Sequence, residues 1–226
     1  MSANVLKIIA LIAMTVDHAG LILFSEYEWM RIIGRIAFPI FAFMIAEGCR
    51  YTHDRTRYFR QIALMGIGMQ IVYFLATGSL FQSVFISFSL AILLIYAIDE
   101  AKKEQKIRYW VCAGAAAFVI FFLCRGLPEI LYHTDYDIDY NIVGILIPVA
   151  CYFVTGKQMR LLVFTLCLVA LSAFYGGIQW FCLLAVPLIA LYNYQKGKAS
   201  IKNLFYFYYP IHLLVIYVID GITEML

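Results

Sequence analysis

Charge is what this sequence has least of. Asp, Glu, Lys and Arg make up 14% of its 226 residues, against 64% apolar residues and a mean hydropathy of +0.86. Soluble domains carry about 25% charge and about 45–50% apolar residues. So little charge excludes a soluble globule, because there is too little polar surface to coat one. The apolar excess excludes an intrinsically disordered chain. Strict polar–apolar alternation is also missing: the apolar runs are continuous, which excludes a β-barrel, whose strands alternate at every second residue. Cysteine pairs are missing too. Cys49, Cys112, Cys124, Cys151, Cys167 and Cys182 fall in or at the ends of apolar runs, with no CxxC among them. They read as small core hydrophobes rather than disulfides or metal ligands. No linker, low-complexity tract or internal repeat interrupts the chain, so residues 1–226 are expected to form one domain. The first apolar run continues through Asp17 and His18 to Phe24 without a small-x-small site, so no cleavable signal is expected.

What is present is a series of membrane-length apolar runs. A helix needs about 20 residues, with a range of about 17–25, to cross a bilayer. Nine runs qualify as candidates: 5–24, 30–49, 60–77, 81–98, 109–124, 140–155, 160–175, 177–193 and 204–222. The sixth and seventh are short, so one of them is open to a re-entrant path. The predicted fold is an all-α polytopic transmembrane helical bundle of about nine spans. Its orientation follows from Lys and Arg, which favour cytoplasmic loops. With the N-terminus inside, the inner segments hold Lys7, Arg50, Arg55, Arg57, Arg60, Lys102, Lys103, Lys106, Arg108, Lys157, Arg160, Lys196, Lys198 and Lys202, which is 14 of the 17 basic residues. The outer segments hold Glu26, Glu28, Glu129, Asp135, Asp137, Asp139, Asp220 and Glu224. The C-terminus is then outside. The lipid bilayer, not nucleic acid, is the partner this charge placement implies. A bacterial plasma (inner) membrane location follows from the positive-inside pattern and from the resemblance set out below.

Ionisable residues inside spans are costly and usually functional. The first span contains Asp17 and His18; the second carries Arg31 and Arg35, which share a helix face. A short connection makes the two spans antiparallel neighbours, and an Asp17–Arg35 ion pair is expected to hold both charges in lipid. Adjacent residues on a helix point about 100° apart, so Asp17 and His18 are not expected to form a direct dyad. Pro39 frees the carbonyl of Arg35 and Pro210 frees that of Tyr206, because proline has no N–H to donate. His212 follows Pro210 near the expected midplane. Gln70, Ser87 and Ser89 fall at similar depths on the third and fourth spans, where interhelical hydrogen bonding and a substrate pocket are both open readings. Glu47 is expected to face the basic loop. The aromatic run 205–209 reads as an interfacial belt, with Tyr209 at its inner end beside the pocket. The D-x-D-x-D stretch at 135–139 lacks the Gly and Glu of a calcium loop, so no metal is expected.

Three stretches resemble the TraX family of integral-membrane acetyltransferases: MTVDHAG at 14–20, RIIGRIAFPIFAFMIAEG at 31–48 and FYFYYPIHLL at 205–214. The likeness covers nearly the whole chain. The O-acetylase branch of the broader transmembrane acyltransferase superfamily has a basic residue ten residues before a histidine in its first helix, and Lys7 and His18 match that spacing. Its R-x-x-R is matched by Arg57 and Arg60. The resemblance implies acetyl-CoA as donor and an acceptor amine, peptide or sugar hydroxyl on the outer side, with N-acetylation favoured.

The residues fit such chemistry. Arg55, Arg57 and Arg60 lie at the predicted inner mouth, with Lys7 at the same level, and arginine suits phosphate bidentately. Lys7 and His18 lie roughly 16 Å apart on a helix that rises 1.5 Å per residue, comparable to an extended pantetheine arm. His18 is the candidate base, with a reference pKa of about 6.5. Asp17 is expected to hold Arg35, and Arg35 or a serine to stabilise a thioester oxyanion. His212 shares the work, and Arg31 lines the substrate pocket with Gln70, Ser87, Ser89 and Tyr209. A covalent acetyl-histidine is equally open. Two other classes fit the same residues: a proton-coupled transporter of a small solute, and a structural subunit of a pilus assembly.

Overall fold

The computed structural model describes residues 1–197 and 202–223, with the backbone alone for 202–207. Lys198 and Glu224, placed above on the inner and outer sides, lie outside the described residues, as does the side chain of Lys202. Among the described residues all regular structure is helical, apart from one isolated bridge between Gln82 and Ile138. The elements are α1 (Ala3–Ile22), α2 (Glu28–Gly34), α3 (Ala37–Tyr51), α4 (Arg55–Thr77), α5 (Val84–Glu104), α6 (Ile107–Phe121), a π turn (Phe122–Gly126), α7 (Leu127–Ile130), α8 (Asn141–Phe153), α9 (Lys157–Tyr175), a 3₁₀ helix (Gly177–Leu184), α10 (Ala185–Ala190) and α11 (Lys202–Thr223).

Six helical segments are long and apolar enough to cross a membrane: Ala3–Ile22, Glu28–Tyr51, Arg55–Thr77, Val84–Glu104, Ile107–Ile130 and Lys157–Tyr175. Asn141–Phe153, Gly177–Ala190 and the described part of the last helix, Tyr208–Thr223, are shorter apolar helices. The sixth predicted span is short, as expected. The seventh is not: α9 has 19 residues, and the short segment is the eighth.

Local chemistry sets several boundaries. Asp54 Oδ1 accepts from Arg57 N–H at 2.8 Å, capping the start of α4 five residues earlier than the predicted span. Arg55, Arg57 and Arg60 therefore sit on the first two turns of a helix, not ahead of it. Gly78, at φ 71°, ends α4 with its N–H on Phe74 O at 2.8 Å. The second predicted span is broken rather than kinked. Pro39 offers no N–H to Arg35 O, and the chain tightens upstream, with Ile36 N–H bonding Ile33 O at 3.3 Å. Pro128 acts similarly on the carbonyl of Cys124, which accepts instead from Asn141 Nδ2 at 3.2 Å.

The chain forms two compact units, Met1–Met44 with Lys157–Leu226, and Ile45–Gly156. In the first, α1 packs on α2 and on α11, and the 3₁₀ helix packs on α2 and α9. Its core holds Phe43 edge-on to Phe164 at 5.4 Å and to Tyr192 at 6.2 Å. Arg160, placed at the inner face from sequence, is instead 3% exposed, its guanidinium 4.8 Å from the Phe43 ring and 5.2 Å from that of Tyr194. A cation between aromatic faces is favourable where water is excluded.

In the second unit α5 packs on α4, α6 and α8. Arg50 Nη2 donates to the carbonyls of Tyr152 at 2.5 Å and Val154 at 3.0 Å, binding the C-terminal end of α8 where orphan acceptors and the helix dipole favour a cation. Glu47, expected at the basic loop, is buried at 4% exposure. The aspartates at 135–139 serve the loop itself. Asp135 accepts from the Ser79 hydroxyl and from Leu80 N–H, which holds its carboxyl below the usual carboxylate range. Asp137 Oδ1 accepts from Asn141 Nδ2 at 2.9 Å.

Gly34 fixes how closely α2 approaches α1: a Cβ there would overlap the side chain of Asp17. Small residues permit such approaches between membrane helices. Gly34→Ala should therefore destabilise the protein by about 1–3 kcal/mol, the usual cost of overpacking. Thermal unfolding in detergent reads this directly, and an unchanged midpoint would refute the close approach.

Candidate functional site

Two polar clusters of the first unit grow from one turn of α1. Asp17 faces α2, and His18 faces α11. The roughly 100° between successive residues on a helix separates them, so they meet different partners, as expected.

The first cluster is ionic. Arg35 Nη2 lies 2.9 Å from Asp17 Oδ1 and 3.0 Å from Oδ2. The Asp17–Arg35 pair expected from sequence is present. Arg31 joins it, with Nη1 at 3.0 Å from Asp17 Oδ1 and 3.1 Å from the Asp17 carbonyl. Arg31 thus belongs to the ion cluster, and one carboxylate serves two guanidiniums. Arg35 Nε also donates to Arg31 O at 3.3 Å, a carbonyl that already accepts from Arg35 N–H at 3.2 Å.

Sequence reasoning missed Gln179. Its Oε1 accepts from Arg35 Nη1 at 3.4 Å, and the residue is 5% exposed. Two consecutive glycines with positive φ, Gly176 at 68° and Gly177 at 51°, turn the chain into the 3₁₀ helix that delivers it. Ser172 Oγ, itself buried, donates to Gln179 O at 3.2 Å. The glycine pair before an apolar run was the available signal.

The second cluster joins α1 to α11. His18 Nδ1 and His212 Nε2 are 2.8 Å apart. Their ring centroids are 5.0 Å apart and the planes 17° from parallel, which with the short N···N contact describes a bond made ring edge to ring edge. His212 is buried at 7% exposure, whereas His18 is partly exposed. Tyr209 stands edge-on to both, 6.1 Å from His18 and 5.3 Å from His212. Thr15, one turn before His18, lies 2.8 Å from the Tyr208 hydroxyl. Tyr208 and Tyr209 pack on Leu11, Ala13, Met14 and Ala37, so the end of the aromatic run is part of the site's wall rather than a belt. Thr15 and Tyr208 were not singled out from sequence; their i, i+3 and i, i+4 spacing to His18 and His212 was the signal.

Lys7 also belongs to this unit, on α1 and partly buried. The remaining sequence-predicted residues belong to the second unit. Arg55 forms an ion pair with Asp99 and lies 5.1 Å from the Tyr96 ring, while Arg57 and Arg60 are exposed on α4. Gln70 Nε2 donates to Ser79 O at 3.4 Å. Ser87 Oγ donates to Asp139 O at 2.5 Å and Ser89 Oγ to Phe85 O at 2.7 Å. Both serine hydroxyls thus bond carbonyls of their own unit, Ser87 a loop carbonyl and Ser89 one of its own helix, so neither makes the interhelical bond that was one of their two readings.

The family model for TraX protein matches residues 2–220. The chain belongs to the TraX family. The match takes in both clusters, and the three stretches named from sequence lie within it. Among its relatives, a probable fimbrial assembly protein FimC, serogroup H1, of Dichelobacter nodosus is 24% identical, across 95% of this chain and 94% of its own. Protein TraX of Escherichia coli is 36% identical over 74 residues, 32% of this chain and 30% of its own length. An uncharacterized protein of Rickettsia prowazekii (strain Madrid E) is 46% identical over 68 residues, 30% of this chain and 25% of its own. No solved structure matches the chain.

Asp17 is the residue of this TraX-family site whose removal should cost most stability. With Asp17→Asn, two guanidiniums lose their shared counter-charge in a mostly desolvated setting. Breaking a buried pair this way costs about 3–5 kcal/mol. Asp17→Asn should lower the unfolding midpoint well beyond Arg31→Gln, which leaves the Asp17–Arg35 pair intact. Equal midpoints for the two variants would show that Asp17 is not the hub.

Proposed function

We propose that this protein is a membrane-embedded acetyltransferase that moves an acetyl group from cytoplasmic acetyl-CoA to an amine or hydroxyl at the outer side. The observation that carries this reading is the partly exposed imidazole of His18, hydrogen-bonded to His212 and one residue from an ion cluster inside an apolar helix pair. A histidine held this way is equipped to take a proton from an acceptor. Among the described residues two arginines share one carboxylate, and their guanidiniums can stabilise a thioester oxyanion that forms beside them. The TraX family membership and the resemblance of the motif stretches support the donor. The exposed Arg57 and Arg60 supply cations for its phosphates, while Arg55 is already partnered by Asp99.

The topology that serves this reaction has nine spans, with the N-terminus cytoplasmic and the C-terminus outside a bacterial plasma membrane. The three shorter helices then cross with the help of their neighbours. The name of the Dichelobacter relative, a fimbrial assembly protein, favours a pilus subunit as acceptor. The same name supports a second reading, a non-enzymatic component of pilus assembly.

Ligand binding separates the two. Acetyl-CoA at about 100 times its dissociation constant should stabilise the purified protein by about 2.7 kcal/mol, and Arg57→Ala with Arg60→Ala should raise the concentration required. No shift at millimolar acetyl-CoA favours the assembly reading. His18→Ala should keep the thermal shift and lower acetyl transfer about 10²–10⁴-fold; wild-type transfer by a folded His18→Ala variant would remove His18 from the chemistry. For the topology, alkaline phosphatase fused after Thr134 should be active and green fluorescent protein fused after Lys103 should fluoresce. The reverse pattern would invert the orientation.

A further inference from the structure

The hydrogen bonds that hold His18 and His212 form a chain whose direction is fixed by its last member. The Tyr208 carbonyl oxygen carries no proton, so its 3.0 Å contact with His212 Nδ1 puts the hydrogen on that nitrogen. A neutral imidazole has one N–H, which makes His212 Nε2 an acceptor. The 2.8 Å contact with His18 then takes its hydrogen from His18 Nδ1. With Nδ1 protonated, neutral His18 has its lone pair on Nε2.

Tyr208 is fastened independently. Thr15 Oγ donates its one hydrogen to Leu11 O at 2.9 Å, so at 2.8 Å it accepts from the Tyr208 hydroxyl. The Tyr208 ring lies 5.4 Å from that of His212 with the planes 13° from parallel, and Tyr209 is edge-on to both imidazoles. Neither imidazole can turn over without displacing an aromatic neighbour.

We infer that His212 is a positioning residue, its tautomer set by the Tyr208 backbone carbonyl, and that Nε2 of His18 is the nitrogen that meets substrate. The chemical half of this inference rests on the acyl-transfer reading above; the tautomer half does not. The acceptor's N or O bonds to the thioester carbon while its proton passes to His18 Nε2. The C–S bond then breaks, the electron pair leaves on the CoA sulfur, and the sulfur takes the proton from Nε2. His18 returns to its starting form, and Nδ1–H donates to His212 throughout. His212 thus does for His18 what a buried carboxylate does for a catalytic histidine elsewhere, without bringing a charge into the membrane.

Two measurements test this. In proteoliposomes of ¹⁵N-histidine protein carrying His53→Gln and His133→Gln, only His18 and His212 remain of the four histidines. Both should show the Nδ1–H tautomer, and an Nε2–H tautomer at His18 overturns the chain. In transfer assays with radiolabelled acetyl-CoA, glucosamine and a pentapeptide with a free amino terminus serve as acceptor probes. His212→Leu should lower kcat about 10²-fold or more, and His212→Gln, whose Oε1 can accept from Nδ1–H, should recover activity to within about tenfold of wild type. The acetyl-CoA thermal shift should match wild type in both. Wild-type kcat in His212→Leu, or a His212→Gln variant no better than His212→Leu, overturns the positioning role. A wild-type protein with neither thermal shift nor transfer overturns the acyl-transfer reading and the catalytic role with it, while the tautomer spectra still decide the chain.

Discussion

One carboxylate shared by two guanidiniums makes the first helix pair possible in lipid. Arg31 lies on a helix of seven residues and Arg35 follows it at the break, and so short a helix has little stability of its own. Without Asp17 that segment would carry two guanidiniums into the membrane without this counter-charge. With it, α2 is drawn against α1, so closely that the contact point tolerates only glycine at position 34. Arg35, at the break between α2 and α3, donates from Nε to the Arg31 carbonyl while its other end reaches Asp17 and Gln179. The ion cluster therefore ties the consecutive helices α1 and α2 to the 3₁₀ helix, which lies far away in sequence.

The histidine pair depends on that frame. α11 meets α1 through Thr15–Tyr208 and His18–His212, two polar contacts a turn apart on each helix. Lipid supplies no hydrophobic force to bring helices together, so packing and interhelical hydrogen bonds decide which faces meet. Each polar atom in these contacts has one available role once the backbone carbonyls of Leu11 and Tyr208 are taken as acceptors. Register between α1 and α11 is thereby set by proton placement as well as by shape, and a slip of one turn would separate both contacts together.

The sequence made the ion pair legible because charge is so rare in it: with few ionisable residues in the spans, Asp17 had few conceivable partners. The helical class was legible for the same reason. Less visible were features that depend on backbone geometry. Arg160 was counted as an inner-face base, yet aromatic rings from distant elements enclose it, and nothing in its local sequence marks that cage. Gln179 is one polar residue in an apolar run and was not singled out; its role comes from two left-handed glycines that re-aim the chain. The eighth segment read as a plain span because hydropathy does not distinguish a 3₁₀ helix from an α-helix. Proline positions were read as sites of freed carbonyls; at Pro39 the chain tightens just upstream, with Ile36 N–H on Ile33 O.

The charge count around His18 constrains any reaction there. Among the described residues, two guanidiniums stand against one carboxylate beside the imidazole pair, an excess of positive charge. If His18 gained a full proton before the substrate gained negative charge, three cations would surround one carboxylate in a medium that screens poorly. If an oxyanion formed first, the excess charge would favour it. Proton transfer to His18 and growth of negative charge on the substrate are thus electrostatically coupled under the acyl-transfer reading: each offsets the other only when they proceed together. A neutral histidine partner for His18, in place of the more common carboxylate, fits that balance. A second carboxylate at position 212 would cancel the excess positive charge on which the developing oxyanion depends.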